Sequence, residues 1–197
     1  MGKGTPFTEF VNKMMDKPLS IGLIGVEIGV MNGQNALNLL KYLNIKKLYL
    51  VDSFLPYQDR PDKFYTAEEL EQEYEKLLKN IEPYSDKVMI IRKSSAWARE
   101  FLKDKQLDFV YIDADHHYES VKDDLKWWDL IVQGGIIGGH DYTDAWDFGV
   151  IKAVKELAIK VKLSIHELTE PPIRQTEWAI HKTNPKDAKS YISNNSS

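Results

Sequence analysis

Five times along its length the chain sets a short apolar run against an amphipathic stretch, and then it changes rhythm. Ile21–Ile28, Lys47–Val51, Val88–Ile91, Leu107–Ile112 and a run opening at Ile136-Ile137 read as buried strands. Gln34–Tyr42, Ala67–Asn80, Ser95–Leu102 and Tyr118–Trp128 have helical spacing, and Val150–Val161 follows the fifth run with Val150, Ala153, Val154 and Leu157 on one face. Gly134-Gly135 reads as the turn before the fifth strand, since glycine admits positive φ. Strands separated by helical crossovers lie parallel. Beyond Val161, Leu163–Leu168 and Thr176–Lys182 alternate apolar and polar with Pro171-Pro172 between them, which predicts an antiparallel pair. The expected architecture is α/β: a doubly wound, mostly parallel seven-stranded sheet with an antiparallel C-terminal hairpin and helices on both faces. Residues 1–183 should form one domain, and 184–197, ending Ser193-Asn194-Asn195-Ser196-Ser197, a flexible polar tail.

Composition narrows the chemistry. With no cysteine there can be no disulfide, thiolate nucleophile or cysteine-held zinc. A metal would need oxygen or imidazole ligands, which favours a hard ion such as Mg²⁺. The net charge is −4 and no basic stripe stands out, so a nucleic-acid partner is not expected. No window approaches the ~18 apolar residues of a membrane span, and MGKGTPFTEF lacks the pattern of a secretory signal. The expected setting is cytoplasmic, with a homodimer as the default assembly.

In an open parallel sheet ligands bind beyond the carboxyl ends of the strands. After the first strand stands Glu27-Ile-Gly29-Val-Met-Asn-Gly33. Its spacing departs from the Gly-x-Gly-x-x-Gly of dinucleotide sites, and its acid suits a cationic amino-acid ligand better than a phosphate; the plainer reading is a tight turn. Asp52, followed by Ser53, either accepts ribose hydroxyls or caps a turn. Ser94-Ser95-Ala96 either reads an adenine edge or starts a helix. After the fourth and fifth strands come Asp113-Ala-Asp115-His116-His117-Tyr118 and Gly138-Gly139-His140-Asp141-Tyr142. These carboxylates and imidazoles are able to ligate a metal or move a proton, or else to pair as a surface loop.

Taken together, Val26–Gly33, Val51-Asp52, Phe109–Tyr118, Gly134–Tyr142 and Gly149–Leu157 resemble a class I S-adenosylmethionine-dependent methyltransferase with a Rossmann-like fold. Within that class they are similar to the macrocin-type sugar O-methyltransferases and cephalosporin-hydroxylase-like proteins, and more distantly to the catechol and caffeoyl-CoA O-methyltransferases. The resemblance implies that Glu27, Gly29 and Gly33 border the methionine part, Asp52 with Ser53 the ribose, and Ser95 and Ala96 the adenine. Asp113 falls beside the cofactor amino group, at a divalent-metal position of the metal-dependent relatives. Catechol-type relatives carry Asp-Asn where this chain has His140-Asp141, and a lysine where it has His116.

The expected reaction is methyl transfer to a hydroxyl of a small molecule (a sugar, a phenol or another acceptor), with a nitrogen acceptor as the alternative. Asp113, His140 and Asp141 would hold Mg²⁺, and His116, then His117, are the candidate general bases beside Asp113. Phe54–Tyr65 and Tyr142–Phe148 are the expected acceptor loops. An NAD-linked oxidoreductase on the same sheet and a non-catalytic cofactor-binding relative are the alternatives.

Overall fold

The computed structural model describes residues 4–15, 20–60, 63–143, 149–169 and 176–183. Among them the elements run α1 (Pro6–Met14), β1 (Leu23–Ile28), α2 (Gln34–Tyr42), β2 (Ile45–Val51), β3 (Tyr57–Arg60), β4 (Lys63–Tyr65) and α3 (Ala67–Ile81). They continue with β5 (Val88–Ile91), α4 (Ser95–Phe101), β6 (Leu107–Ile112), α5 (Tyr118–Asp124), β7 (Ile131–Gly139), α6 (Val150–Val161), β8 (His166–Thr169) and β9 (Thr176–His181). Seven strands form one sheet in the order β5-β2-β1-β6-β7-β9-β8, and β3 and β4 form a separate hairpin. β1, β2, β5, β6 and β7 are parallel, while β9 runs antiparallel to both β7 and β8. This is the doubly wound, Rossmann-like sheet that the alternating pattern implies.

The pleat explains why both faces are covered. Successive side chains of a strand point to opposite faces, so β6, buried at every position, feeds two cores. Phe109 and Tyr111 pack with Phe7, Leu39, Leu48, Leu50 and Leu77 on the side of α1–α3. Val110 and Ile112 pack with Val121, Trp127, Val154 and Trp178 on the side of α4–α6. Each fully buried Leu, Val or Phe contributes about 1.5–3 kcal/mol, so these two apolar layers dominate the stability. Local signals agree with them. Thr66 and Glu69 form a reciprocal capping box on α3, and Thr5 caps α1 with Pro6 in its first turn.

Four elements differ from the sequence expectation. α1 was not anticipated, although Phe7, Val11 and Met14 have helical spacing behind the Thr5-Pro6 start. Part of the expected loop 54–65 pairs as the β3–β4 hairpin, with Tyr57 and Tyr65 stacked at 5.2 Å. The fifth strand begins at Ile131, not Ile136, and Gly134-Gly135 is an irregularity inside it: Gly134 has φ 83°, and pairing jumps from Leu107↔Ile131 to Phe109↔Ile136. The helix expected to reach Trp128 ends at Asp124 and tightens into a 3₁₀ turn over Leu125–Leu130. The proposed tail and residues 144–148 of the second expected acceptor loop lie outside the described residues.

Register sets the location of any site. Ile28 is level with Val51 and Ile112, Val51 with Ile91, and Ile112 with Gly139. The five segments that follow these residues therefore share one rim.

Candidate active site

Gly29 turns the chain at φ 80°, and a Cβ there would stand 2.1 Å from the Asp113 carbonyl oxygen. Only glycine lets the turn after β1 pass this close to the segment after β6. Gly33, at φ 78°, starts α2 without a side-chain cap. Asp52 ties the turn to the rim. Its Oδ2 accepts the Val30 and Met31 amides at 2.9 and 3.1 Å, and its Oδ1 accepts the Phe54 amide at 2.9 Å. A carboxylate has about four lone-pair sites, so this anchoring leaves room for a ribose contact beside it. Ser53 follows at the same edge.

Glu27 is 1% exposed. Its Oε1 accepts the Asn35 amide at 3.2 Å, and its Oε2 has no hydrogen-bond partner among the described residues. Burial first, then the charges of Asp113 and Asp52, hold its pKa well above the usual carboxylate range against the Asn35 bond. Such an acid waits for a donor, and an ammonium group suits it.

At the end of β5 the division of labour differs from the simplest reading. Ser94 caps α4, accepting the Trp97 amide at 3.3 Å. Ser95 is left to accept the Trp127 indole N–H at 2.8 Å and to hydrogen-bond Asp124. Asp124 is 6% exposed, and burial, with help from Asp123 and Asp115, pushes its pKa up to about 7 despite the Ser95 bond. A carboxyl whose pKa is raised on folding contributes most when protonated, below its unfolded value near 4, and loses that contribution as pH climbs to about 7. Asp124→Asn, neutral throughout, is therefore expected to unfold less readily than the wild type at pH 8, by on the order of a few kcal/mol, with the gap closing toward pH 4. Urea denaturation at pH 4, 6 and 8 checks this, and parallel stability curves would refute it.

The rim segments after β6 and β7 converge. His116 Nε2 lies 2.9 Å from Asp141 Oδ2 and 3.7 Å from Asp113 Oδ1. His140 Nδ1 lies 3.1 Å from Asp141 Oδ2 and 4.0 Å from Asp113 Oδ1. Burial opposes a charge on His116, but hydrogen bonds to Asp113 and Asp141 outweigh it and push its pKa up to about 10. The same balance raises His140, while the two imidazoles hold Asp141 well below the usual carboxylate range. In this geometry the two carboxylates favour the charged, donating form of His116 over the free base. Asp141 has φ 52°, a left-handed conformation that asparate-like side chains tolerate and that clusters at functional sites. His117 does not join the group: its ring is largely exposed and turns to Asp115 at 2.5 Å. Asp113, His140 and Asp141 each offer a ligand atom, all within 4.8 Å of one another, which suits a divalent ion.

Two cavities meet at Gly29, Met31 and Asp113. One, of about 380 Å³, runs past Asp52, Ser53, Ser95 and Ala96 to Asp124. The other, of about 560 Å³, runs past Glu27 and Asn35 to Tyr111, His140 and Glu177, under the start of α1. Of the sequence candidates, Glu27, Gly29, Asp52, Ser53, Ser95, Ala96, Asp113 and His140 line these cavities, His116 and Asp141 stand against Asp113 and His140, and Gly33 and His117 line neither.

Residues 26–142 match the model of a family described as a methyltransferase domain. The chain belongs to that family. It is an S-adenosylmethionine-dependent methyltransferase, which removes the oxidoreductase alternative. No curated protein sequence matches the chain. Among solved structures it is similar to an rRNA methylase from Streptococcus thermophilus (15% identical over 93% of this methyltransferase and 100% of that chain, TM-score 0.62). It is also similar to a protein from Streptococcus mutans solved in complex with SAH (16%, 92% and 99%, TM-score 0.63). A third is CalS11, a TDP-rhamnose 3'-O-methyltransferase of calicheamicin biosynthesis (14%, 89% and 76%, TM-score 0.57). At these identities the likeness shows the fold.

Three residues of this surface were not singled out from the sequence. Glu177 on β9 is buried, its Oε1 accepting the Tyr111 hydroxyl at 2.7 Å and its Oε2 the Phe7 amide at 2.6 Å. Asp124 occupies the inward stripe with Val121 and Leu125. Asn35 holds Glu27. A charge set among buried neighbours was the available signal for the first two, since burying one is costly unless it is paired or used.

Proposed function

We propose that this methyltransferase O-methylates a small molecule, with a sugar, a phenol or another hydroxyl compound as acceptor. The observation that carries the reading is the position of Asp113, which borders both cavities. The buried, unpartnered Glu27 Oε2 fits the ammonium of the donor's methionine part, and Asp52 and Ser95 lie along the cavity suited to its adenosine. When bound, S-adenosylmethionine supplies an electrophilic methyl group whose bond to sulfur breaks, leaving the electron pair on sulfur, as the bond to the acceptor oxygen forms.

The residues of the chain then have three tasks. Glu27, Gly29 and Asp52 hold the donor, so that a two-body encounter becomes a positioned one. Asp113 accepts a hydrogen bond from the acceptor hydroxyl at the junction and takes up its proton as the oxygen is alkylated, with His140 as a donor beside it. His116 orients the Asp113 and Asp141 carboxylates. Asp113, His140 and Asp141 would also be the residues to hold Mg²⁺, which at that place lowers the pKa of a bound hydroxyl. A small acceptor agrees with the net charge of −4 and with the many carboxylates of the rim, which repel a phosphodiester backbone. Calorimetric titration with S-adenosylhomocysteine, with Mg²⁺ and again with a chelator, tests the reading; micromolar binding is expected. An acceptor panel with tritiated donor follows. A protein that binds the cofactor product and methylates no hydroxyl compound would overturn O-methylation, and one that methylates nothing in a broad acceptor screen would be the non-catalytic relative.

A further inference from the structure

We propose that Glu177 is a positioning residue that fastens the start of α1 as a strap along the larger cavity. It thereby sets how strongly this methyltransferase prefers a nucleoside with the full amino-acid tail over one without it. The inference rests on the donor being S-adenosylmethionine with its ammonium at Glu27. Gly4, Thr5 and Pro6, which lead into α1, line that cavity together with Glu27, Asn35 and Asn38. Tyr111, which bonds Glu177, is level with Glu27 on the neighbouring strand. The fastening and the expected seat of the tail are therefore parts of one wall.

The strap is held at both ends. At Gly4 it lies against α2, where a Cβ would stand 3.2 Å from Tyr42 Cγ. At Phe7 its amide donates to Glu177 Oε2 at 2.6 Å, across 170 residues of chain. That amide is the one the first turn leaves over. Pro6 has none, and Thr5 takes the Thr8 amide on its hydroxyl and the Glu9 amide on its carbonyl. Glu177 Oε1 accepts the Tyr111 hydroxyl at 2.7 Å, so one buried acid joins α1, β6 and β9. The Phe7 ring seats the joint. It is fully buried, 4.8 Å from the Tyr111 ring, in space that a Cβ on Gly138 would invade at 2.5 Å. An acid is a costly element to bury, and the apolar packing of Phe7 and Val11 already holds the body of the helix. What the acid adds is a fixed place for the segment beside the cavity. Burial raises the Glu177 carboxyl above its usual range, against the bonds from Tyr111 and Phe7, so an amide of the same shape is a fair replacement for it.

The experiment compares S-adenosylhomocysteine with 5′-methylthioadenosine, which lacks the amino-acid tail, by calorimetry on the wild type, Glu177→Ala and Glu177→Gln. The wild type is expected to bind the tailed compound more than about tenfold more tightly. Glu177→Ala should cut that preference about tenfold, the loss of one hydrogen bond to a charged group, while affinity for 5′-methylthioadenosine stays within about twofold. Glu177→Gln, whose carbonyl can accept the Phe7 amide and whose amide can donate to the Tyr111 hydroxyl, should keep the preference within about threefold of the wild type. General loosening of the fold would weaken both compounds together. Hydrogen exchange at Phe7–Val11 in the wild type needs no variant: saturating S-adenosylhomocysteine should slow it about tenfold more than saturating 5′-methylthioadenosine does. Equal protection by the two compounds would overturn the strap. An alanine variant that keeps the wild-type preference, or that loses affinity for both compounds alike, would overturn the role of Glu177. A wild type with no preference would overturn the placement of the tail at Glu27 and this inference with it, and one that binds neither compound would overturn the assigned donor as well.

Discussion

Asp113→Ala is expected to lower methyl transfer by about 10²–10⁴-fold, the range in which a positioned proton acceptor or metal ligand acts. The side chain stands where the two cavities meet and within 3.7–4.0 Å of His116 and His140. Its removal takes away the proposed proton acceptor and one of three potential metal ligands. The fold should survive. The carboxylate is 35% exposed, and the backbone bond from the Asp113 amide to Ile28 remains. Melting temperature is the control, and Asp113→Asn, which keeps the shape and removes the charge, should lose activity too. Turnover of the alanine variant within threefold of the wild type, with Mg²⁺ or without it, would remove Asp113 from the chemistry.

The largest structural effect is expected of Gly29→Ala. The added methyl would meet the Asp113 carbonyl oxygen at 2.1 Å, its carbon at 2.5 Å and the Ala114 Cα at 2.6 Å. All three are backbone atoms of the adjoining rim, so the contact is relieved only by parting the ends of β1 and β6. An alanine at φ 80° adds about 1 kcal/mol of its own, and the overpacking about 1–3 kcal/mol more. For a chain of this size that corresponds to a fall in Tm of roughly 5–15 °C. S-adenosylhomocysteine affinity should drop more than tenfold even at temperatures where the variant is folded, because the displaced turn carries Glu27 and Asp113 with it. A variant that melts within 2 °C of the wild type and binds normally would show that the rim accommodates the methyl.

The architecture was legible because it rests on local periodicity. Runs such as Leu107–Ile112 can only be buried on both faces, and amphipathic stretches between such runs can only be crossovers. The same logic located the rim, since a parallel sheet gathers its strand ends on one side. It failed where pairing or packing overrules local pattern. Gly134-Gly135 resembles a turn, yet the strand continues through it because Gly134 and Gly135 exchange backbone hydrogen bonds with Lys182 of the returning chain. α1 is short and far from the motifs in sequence, and its place under the larger cavity depends on Glu177, 170 residues away from Phe7.

Sequence alone determined the fold class, the glycine turn, the acids at the ends of β1, β2 and β6 and the imidazoles beside them, because each is a matter of residue type at a strand end. Tertiary structure decided what those groups are to one another. Two residues apart, Asp115 takes His117 outward, while Asp141, in the segment after another strand, takes His116 inward and favours its charged form. Asp124 and Glu177 lay unremarked in helix and strand patterns until packing brought one to the wall of each cavity. The physical reason is range: periodicity is read over a few residues, whereas protonation and hydrogen bonding are set by whatever stands within ~4 Å in space, from any part of the chain.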